Sequence, residues 1–565
     1  HLTRGVAGRI DARGQEHVPL DEAAVRAAAR DFAGLGVQAI AVGLLWSVVN
    51  PAHELRVRDI LARELPDIPV TLSHEINPMP REYQRVIAAA IDASIHPIVS
   101  RYIGRLQQAL DAAGFAGDLL LANCVGGMMP LPEMLKKPIY SVMSGPTLAP
   151  MAALALSDEP DIIVGDMGGT TFDVSALRDH QIIITPDSMI HDDSLGIPKV
   201  DVRSVGAGGG SIAHVDAGGL LNVGPQSAGA RPGPACYGIG GTHPTVTDAN
   251  VVLGLVDPDY FLGGKMKLRR DLAEQAVAQI ATGLGVSLPE AAYAIYTTSN
   301  HNMVAAIEEI TVREGINPRD SFFVCGGGAT AIHIAEMADI LGLKRYMIPR
   351  FMAGLSAFGG LISDIRNEKS GVLLTSDADF DLAGVNAMLA QLRMAGDGFL
   401  EDAGVAPENR QFEFSFMGRY EFQSFEIEVP LTLTDGRLTA ADLPALVEAF
   451  HRMHERIYSI RTDGDVVEFT AWKLRAIGKR QGQEIWRRNI LPAQQGAVAP
   501  KASRRVYDQP SRGMIDVPVY ELSTLGEGAQ LAGPCLVEAE TFTAFLKRGH
   551  DGRLDRFGNI IVTVA

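Results

Sequence analysis

The run Asp161-Ile-Ile-Val-Gly-Asp-Met-Gly-Gly-Thr-Thr-Phe-Asp-Val-Ser-Ala-Leu177 places an acid, two glycines and two hydroxyls within six residues. An apolar strand leads into Asp166, a tight turn follows, and a returning strand alternates Phe172, Val174 and Ala176 with Asp173 and Ser175. Gly168 and Gly169 are expected to take backbone angles closed to other residues and to leave room for an anion at the backbone N–H groups. Asp166, Thr170 and Thr171 supply the oxygen atoms that a hard cation accompanying such an anion requires. Asp173 is a second candidate, for metal or base chemistry or as a cap of the turn. An ordinary hairpin is the plain alternative. Two-residue hairpin turns favour Asn-Gly or Gly-Gly between simple strand residues, whereas this one is flanked by an acid and two threonines.

A second signal lies downstream. Ser321 to Cys325 reads as a strand, and Gly326, Gly327, Gly328, Ala329 and Thr330 turn it into a helix over 331–341. Glycines at a strand-to-helix turn admit a ligand's close approach, and the helix start is electropositive. Between the two signals, residues 200–241 show little periodicity and carry three Gly-rich runs: Val205-Gly-Ala-Gly-Gly-Gly-Ser-Ile212, Val223-Gly-Pro-Gln-Ser-Ala-Gly-Ala230 and Arg231-Pro-Gly-Pro-Ala-Cys-Tyr-Gly238. A loop of that length in a compact domain points to function, with Gly208 and Gly209 as candidates to meet the same ligand. Thr247 or Asp248 is expected to cap the following helix or to face the site. Ser144-Gly-Pro146 is an N-cap with Pro in the first turn, or an anion contact.

These motifs must be carried by alternating elements. A helix is expected over 21–34, a strand over 37–46, a helix from His53, a strand over 69–73, a long helix over 81–113 containing Pro97, and a strand over 118–123. That alternation over 21–123 implies α/β architecture with a mostly parallel, doubly wound sheet. Helices follow over 271–283 and 289–313. From about Glu368 the pattern becomes α+β, with strands over 412–422, 425–433 and 466–477 around a helix over 440–458; short strands fill 513–564. Four segments are expected: 1–155, an α/β lobe truncated at its start; 156–367, a second lobe carrying both glycine turns; 368–480, α+β; and 481–565, a linker and a small β domain.

Composition narrows the partners. With 565 residues, 47% hydrophobic and 21% charged, the sequence has the balance of a globular protein with large cores. A net charge of -17 disfavours nucleic acid and anionic membrane as partners. No apolar run reads as a membrane span and no secretory signal pattern opens the chain, so a cytoplasmic location is expected. The four cysteines, Cys124, Cys236, Cys325 and Cys535, form no C-x-x-C pair; buried thiols are expected, with Cys236 the one to test. His74, His191, His214, His243 and His301 show no ligand spacing and read as surface or core residues.

The Asp-Met-Gly-Gly-Thr-Thr-Phe-Asp-Val run resembles the second phosphate hairpin of the actin, hexokinase and heat-shock-chaperone ATPases, a ribonuclease-H-like, two-lobed fold. Further runs are similar to the A-type subunits of the hydantoinase, 5-oxoprolinase and ATP-dependent acetone and acetophenone carboxylase family. They are Ala41-Val-Gly-Leu-Leu-Trp-Ser, Ser73-His-Glu-Ile-Asn-Pro with Arg81-Glu-Tyr-Gln-Arg, Gly206-Ala-Gly-Gly-Gly-Ser-Ile-Ala, the Pro-Gly-Pro-Ala-Cys-Tyr-Gly run and Thr245-Val-Thr-Asp-Ala-Asn. The resemblance implies ATP with Mg2+ or Mn2+, a B-type large subunit and small subunits as partners, and phosphorylation of an enolate oxygen or of bicarbonate. It assigns Asp166 to the metal, Gly168 to Thr171 to phosphate, and Gly326 to Gly328 with Thr330 to the adenosine side. A further transition metal in the complex is compatible with it. Ser144-Gly-Pro-Thr-Leu-Ala-Pro150 departs from the usual Ser-Gly-Pro-Ala-Gly-Gly toward the carboxylase branch, making a ketone carboxylase the first expectation. A hydantoinase or 5-oxoprolinase opening a cyclic amide is the alternative, and a non-catalytic ATPase scaffold a third. The family's first phosphate hairpin, Asp-x-Gly-Gly-Thr-Phe-Thr-Asp, does not occur in this sequence. A segment preceding His1 is the preferred explanation, half a phosphate clamp the other.

Overall fold

The computed structural model describes residues 2–80, 82–185, 189–190, 193–194, 197–434, 436–480, 482 and 484–565. Contacts gather the chain into two units. One comprises 1–144, 184–199 and 363–481; the other comprises 145–183, 200–362 and 482–565.

The second unit is built on a nine-stranded sheet. Ile162–Met167 pairs antiparallel with Phe172–Arg178 and, on its other side, parallel with Phe322–Gly326. Phe322–Gly326 in turn pairs parallel with Arg345–Ile348, across the helix Thr330–Leu341. Antiparallel strands complete the sheet: Val202–Val205 and Gln181–Ile182 beside Phe172–Arg178, and Ile560–Val564, His550–Leu554 and Gln530–Ala532 at the other end. The sheet is therefore mixed, not mostly parallel. A crossover helix enforces parallel pairing, whereas short turns such as 168–171 return the chain antiparallel. The remaining C-terminal strands, Ala502–Asp508, Gly513–Glu521, Cys535–Ala539 and Phe542–Leu546, form a four-stranded sheet in the same unit.

Strands buried on both faces need continuous apolar sequence, and Ile162, Ile163 and Val164 are all at most 1% exposed. Ile163 belongs to the core cluster of Phe172, Val174 and Ala176; Ile162 and Val164 belong to a second cluster with Val324 and Phe358. Gly165 is small by necessity: a Cβ there would stand 2.5 Å from the Phe323 ring and 2.8 Å from Phe172. The helix Leu288–Glu314 sends Ile295, Met303, Ile307 and Ile310 into the larger cluster at helical spacing.

Residues 200–241, expected to be irregular, contain the strand Val202–Val205 and an antiparallel pair, Ser211–Val215 with Leu221–Ser227. The strands are short and interrupted by glycine, which erased their alternation from the sequence.

The first unit contains a six-stranded sheet in the order Ile427–Leu431, Arg410–Tyr420, Val467–Gly478, Ile365–Ser376, Gly127–Pro130 and Leu120–Asn123. Phe416, Phe469 and Trp472 cluster on this sheet with ring centroids 5.0 to 5.9 Å apart, Phe469 stacked on Trp472 and Phe416 tilted against both. A smaller parallel pair, Ile40–Val42 with Val70–Leu72, carries the helices Glu22–Leu35 and Ala52–Glu64; the strand expected over 37–46 is shorter than the apolar run. Among the described residues one helix, Glu82–Ala112, is long and apolar enough to cross a membrane by length and composition. Its buried face carries Arg85, which donates to Ser73 Oγ and to the carbonyls of Met79 and Leu44, and Asp92, which accepts from Thr71 Oγ1 and the Ile139 amide. The helix runs through Pro97, and its expected first residue, Arg81, lies outside the described residues.

Candidate functional site

At the hairpin turn Gly168, Gly169 and Thr170 are exposed and Thr171 is half-buried, while the apolar residues of the strands leading to it are buried. Gly168 N donates to Thr171 O at 3.0 Å, closing the turn. The amides of Gly169, Thr170 and Thr171 donate to no acceptor among the described residues. Three N–H groups on one turn, without an acceptor among the described residues, are available to an anion. The glycines serve by leaving space: neither Gly168 nor Gly169 adopts a left-handed backbone, contrary to expectation. A Cβ on Gly169 would meet nothing within 4 Å, and one on Gly168 only Thr171 O at 4.0 Å.

Asp166 and Asp173 stand opposite each other in the hairpin register and so share one face of the sheet. Ser356 Oγ donates to Asp166 Oδ2 at 3.3 Å, and Ser204 Oγ donates to Asp173 Oδ1. Burial, then the neighbouring charge of Asp173, pushes the Asp166 carboxyl up to about 6. Burial raises Asp173 as well, against the lowering effect of the Ser204 hydroxyl. Two acids held this close in a shielded place are under-compensated, which suits a divalent cation.

Gly326 lies beside Asp166 in the parallel register. Gly327, at φ +74°, could carry no side chain: its Cβ would stand 2.3 Å from Met167 O and 2.5 Å from Asp166 Oδ1. Gly328 is exposed at the rim. The two glycine turns, 160 residues apart in sequence, thus form one end of the sheet. Thr330 differs from expectation. It is fully buried, its Oγ1 accepts from Met167 N at 2.8 Å and donates to Gly326 O, and so it ties the two turns together.

Gly208 and Gly209 also act as supports. Gly209 N donates to Gly168 O at 3.0 Å and Gly210 N to Gly169 O at 2.7 Å, so these amides brace the hairpin turn. Gly208 N donates to Ser211 Oγ at 2.9 Å. A Cβ on Gly208 would lie 2.5 Å from the Thr170 backbone, so only glycine permits this approach. Thr247 completes the brace, its amide and its Oγ1 both donating to Gly209 O at 2.8 Å. The N-cap of Val246–Val252 is Thr245, in a capping box with Asp248. Asp248 is buried and accepts from the amides of Thr245, Ala235 and Cys236 and from Thr245 Oγ1. The Cys236 thiol is buried and pushed up, first by desolvation and then by the Asp248 charge, which opposes a reactive thiolate.

Ser204 and Ser356 were not visible in sequence as site residues. Ser204 sits at a routine strand position, and the one cue to Ser356 is its place at the start of an apolar helix after Gly354. The Ser144–Pro146 turn precedes the helix Leu148–Leu156, whose Leu148 amide donates to Gly145 O. His74 Nδ1 is bound to buried Glu54 at 2.6 Å, while His214, His243 and His301 are exposed; His191 lies outside the described residues. Among the described residues no group of three or more His, Cys, Asp or Glu is placed to hold a metal ion, so a cation at this site would rest on two acids and hydroxyl oxygens.

Residues 85–369 match the family model described as hydantoinase/oxoprolinase; residues 1–65 match its N-terminal region and 382–561 its C-terminal domain. Over 562 residues, 98% of this chain and 80% of the relative, the sequence is 36% identical to caprolactamase subunit alpha of Pseudomonas jessenii. It is 31% identical over 572 residues to the acetophenone carboxylase gamma subunit of Aromatoleum aromaticum, covering 96% of this chain and 76% of that one. The crystal structure of the ATP-dependent caprolactamase from Pseudomonas jessenii superposes with a TM-score of 0.90 at 35% identity, covering all of this chain and 82% of that one. The nucleotide-free structure of acetone carboxylase gives 0.79 at 26% identity, with the same coverage.

Proposed function

Since the chain belongs to the hydantoinase/oxoprolinase family, we propose that it is the ATP-dependent subunit of an enzyme that activates a cyclic amide by phosphorylation, a partner subunit then opening the ring. The observation that carries this reading is the meeting of three unpaired amides, at Gly169, Thr170 and Thr171, with the Asp166–Asp173 pair on one hairpin. Phosphoryl transfer asks a protein for position and charge compensation more than for covalent chemistry. Asp166 and Asp173 would hold Mg2+ or Mn2+, which when bound neutralises charge on the transferred group. The amides of Gly169, Thr170 and Thr171 and the hydroxyls of Thr170 and Thr171 receive the phosphate oxygens. Gly326 to Gly328 let the adenosine end approach, while Thr330, Gly208, Gly209 and Thr247 keep the two turns in register. In the reaction the amide oxygen, in its imidic form, forms a bond to the γ-phosphorus as the bond to the β-phosphate oxygen breaks and ADP departs, the imidic O–H proton passing to solvent. Phosphorylation leaves an electrophilic imidate carbon; on the partner subunit water would add there, the ring C–N bond would break with the nitrogen leaving as an amine, and a second water would hydrolyse the resulting acyl phosphate to carboxylate and phosphate.

Caprolactamase is the relative of greater similarity in both sequence and structure, and this favours the cyclic amide. A ketone carboxylase of the acetone or acetophenone type is the second reading, favoured by Ser144-Gly-Pro-Thr-Leu-Ala-Pro150; there an enolate or bicarbonate would be phosphorylated. Named relatives are themselves designated subunits, which supports a B-type large subunit, with or without small ones, as partner. The test is to purify the chain with the polypeptides that accompany it and to follow ADP release. Stimulation by lactams or other cyclic amides without bicarbonate supports the first reading, stimulation by ketones only with bicarbonate supports the second, and no substrate dependence rejects both.

A further inference from the structure

The first unit contains a cleft of about 330 Å³ that the nucleotide reading does not use. Its walls include His74, Met79, Lys137, Lys369, Leu392, Met417, Phe425 and Lys473. The lining also carries Glu75, Glu368 and Glu426, equal in number to its lysines, but each of these acids is bound to another cation: Glu75 to Arg58, Glu368 to Lys473 and Arg475, and Glu426 to Arg419. Lys473 is bound to Glu428 at 2.8 Å and to Glu368 at 3.4 Å, and the second of these pairs is buried on both sides. Lys137 and Lys369 are different: among the described residues neither has a carboxylate within ion-pair distance. Lys137 donates to a backbone oxygen, that of Glu75, and Lys369 lies 5.5 Å from the Phe399 ring.

The acids whose charges act on these two lysines are engaged elsewhere. Glu75 is paired with Arg58 at 2.7 Å, Glu133 with Lys136 at 2.5 Å, and Asp92 accepts from Thr71 and the Ile139 amide. On the far wall Glu426 is 3.8 Å from Arg419. Burial followed by the charge of Lys369 brings the Lys137 ammonium down to about 8, and burial lowers Lys369 too. Two half-buried lysines lining one cleft, neither with a carboxylate partner among the described residues, favour an anion there. The neighbouring apolar wall of Met79, Leu392, Met417 and Phe425 would be wasted on a bare inorganic ion.

We propose that this cleft binds a small organic carboxylate, its charge held between Lys137 and Lys369 and its apolar body against Met79, Leu392, Met417 and Phe425. The site lies wholly within the first unit and does not rest on the nucleotide reading.

Isothermal titration of the full chain with benzoate, without nucleotide, tests it, with benzamide as the neutral isostere and inorganic phosphate as a competitor. One equivalent of benzoate is expected to bind, benzamide at least 10-fold more weakly, and phosphate is expected to displace benzoate poorly. Lys369→Met and Lys137→Met should each weaken benzoate at least 10-fold and leave benzamide unchanged; Lys369→Arg should retain binding. Equal affinity for benzoate and benzamide, or unaltered benzoate binding in both methionine variants, overturns the proposal. Equal affinity for phosphate overturns the organic part of it. If a lysine variant fails to fold, the wild-type comparison of the three probes still decides.

Discussion

Asp166 and Asp173 oppose each other across the hairpin, and each receives a hydroxyl from a separate element, Ser356 on one side and Ser204 on the other. Neither hydroxyl removes the repulsion between the acids, and Asp166 titrates near 6 in the folded chain, above its ordinary value of 3.8. An acid whose folded value is raised costs stability when ionised. That cost is fully present above pH 6, declines as the pH falls, and is gone below about 4.

Asp166→Asn should therefore raise the Tm of the ligand-free protein at pH 7.5, by removing a penalty of up to about 3 kcal/mol, and abolish substrate-stimulated ATP hydrolysis. In the wild type, turnover should fall as the pH drops through 6 while ligand-free stability gains from this residue over the same range. The pair of measurements is a Tm series and a pH–rate profile. A variant with lower Tm and full turnover would remove Asp166 from the metal role.

Gly208 and Gly209 are adjacent but predict different outcomes. An alanine Cβ at 208 would press on the Thr170 backbone at 2.5 Å, which can yield only if the turn moves. At 209 it would meet the Thr247 hydroxyl at 2.8 Å, a side chain able to rotate. Gly208→Ala should weaken binding of a nonhydrolysable ATP analogue by 10-fold or more and Gly209→Ala by less, both read by titration. The reverse order would show that the brace does not set the turn.

Much of this site was legible in sequence because its chemistry is local. Asp166, Gly168 to Thr171 and Asp173 are within eight residues, and the Gly326–Gly328 turn announces itself by the strand before it and the helix after it. Joining the two turns depends on Phe322–Gly326 pairing with Ile162–Met167, a contact across 160 residues for which no local pattern codes. The same distance hid the work of Thr330, whose hydroxyl reaches the Met167 amide, and of Ser356 and Ser204. Helices such as Leu288–Glu314 matched their expected limits to within a residue because a capping box starts it and Gly315 ends it. The parallel pairing read from helix–strand alternation holds for Ile40–Val42 with Val70–Leu72, but the larger sheets are mixed, because returning hairpins and C-terminal strands enter them from elsewhere in the chain.

Thr330→Val tests the tie between the turns. Valine keeps the shape but leaves the Met167 amide, which is buried, without its acceptor, at about 1–3 kcal/mol. Thr330→Ser keeps the hydroxyl and loses one methyl, at about 1 kcal/mol. Thermal or denaturant unfolding should therefore rank wild type above Ser and Ser above Val. If valine is the more stable of the two, the hydroxyl is not what holds the turns.

Asp248 anchors the Gly/Pro run before it, since its two oxygens accept from the amides of Ala235, Cys236 and Thr245 and from Thr245 Oγ1 at 2.7 to 3.2 Å. Asparagine is nearly isosteric but turns an NH2 toward donors on one side, so the variant loses acceptors and gains repulsion. Asp248→Asn should cost about 2–3 kcal/mol, and the release of the 231–238 run should open the buried Cys236 to solvent. Peptide mapping after timed iodoacetamide labelling would report this: Cys236 should react faster in the variant while Cys124, Cys325 and Cys535 keep their wild-type rates. Uniformly faster labelling of all four would indicate global unfolding, and unchanged labelling at Cys236 would mean that other contacts hold the run closed.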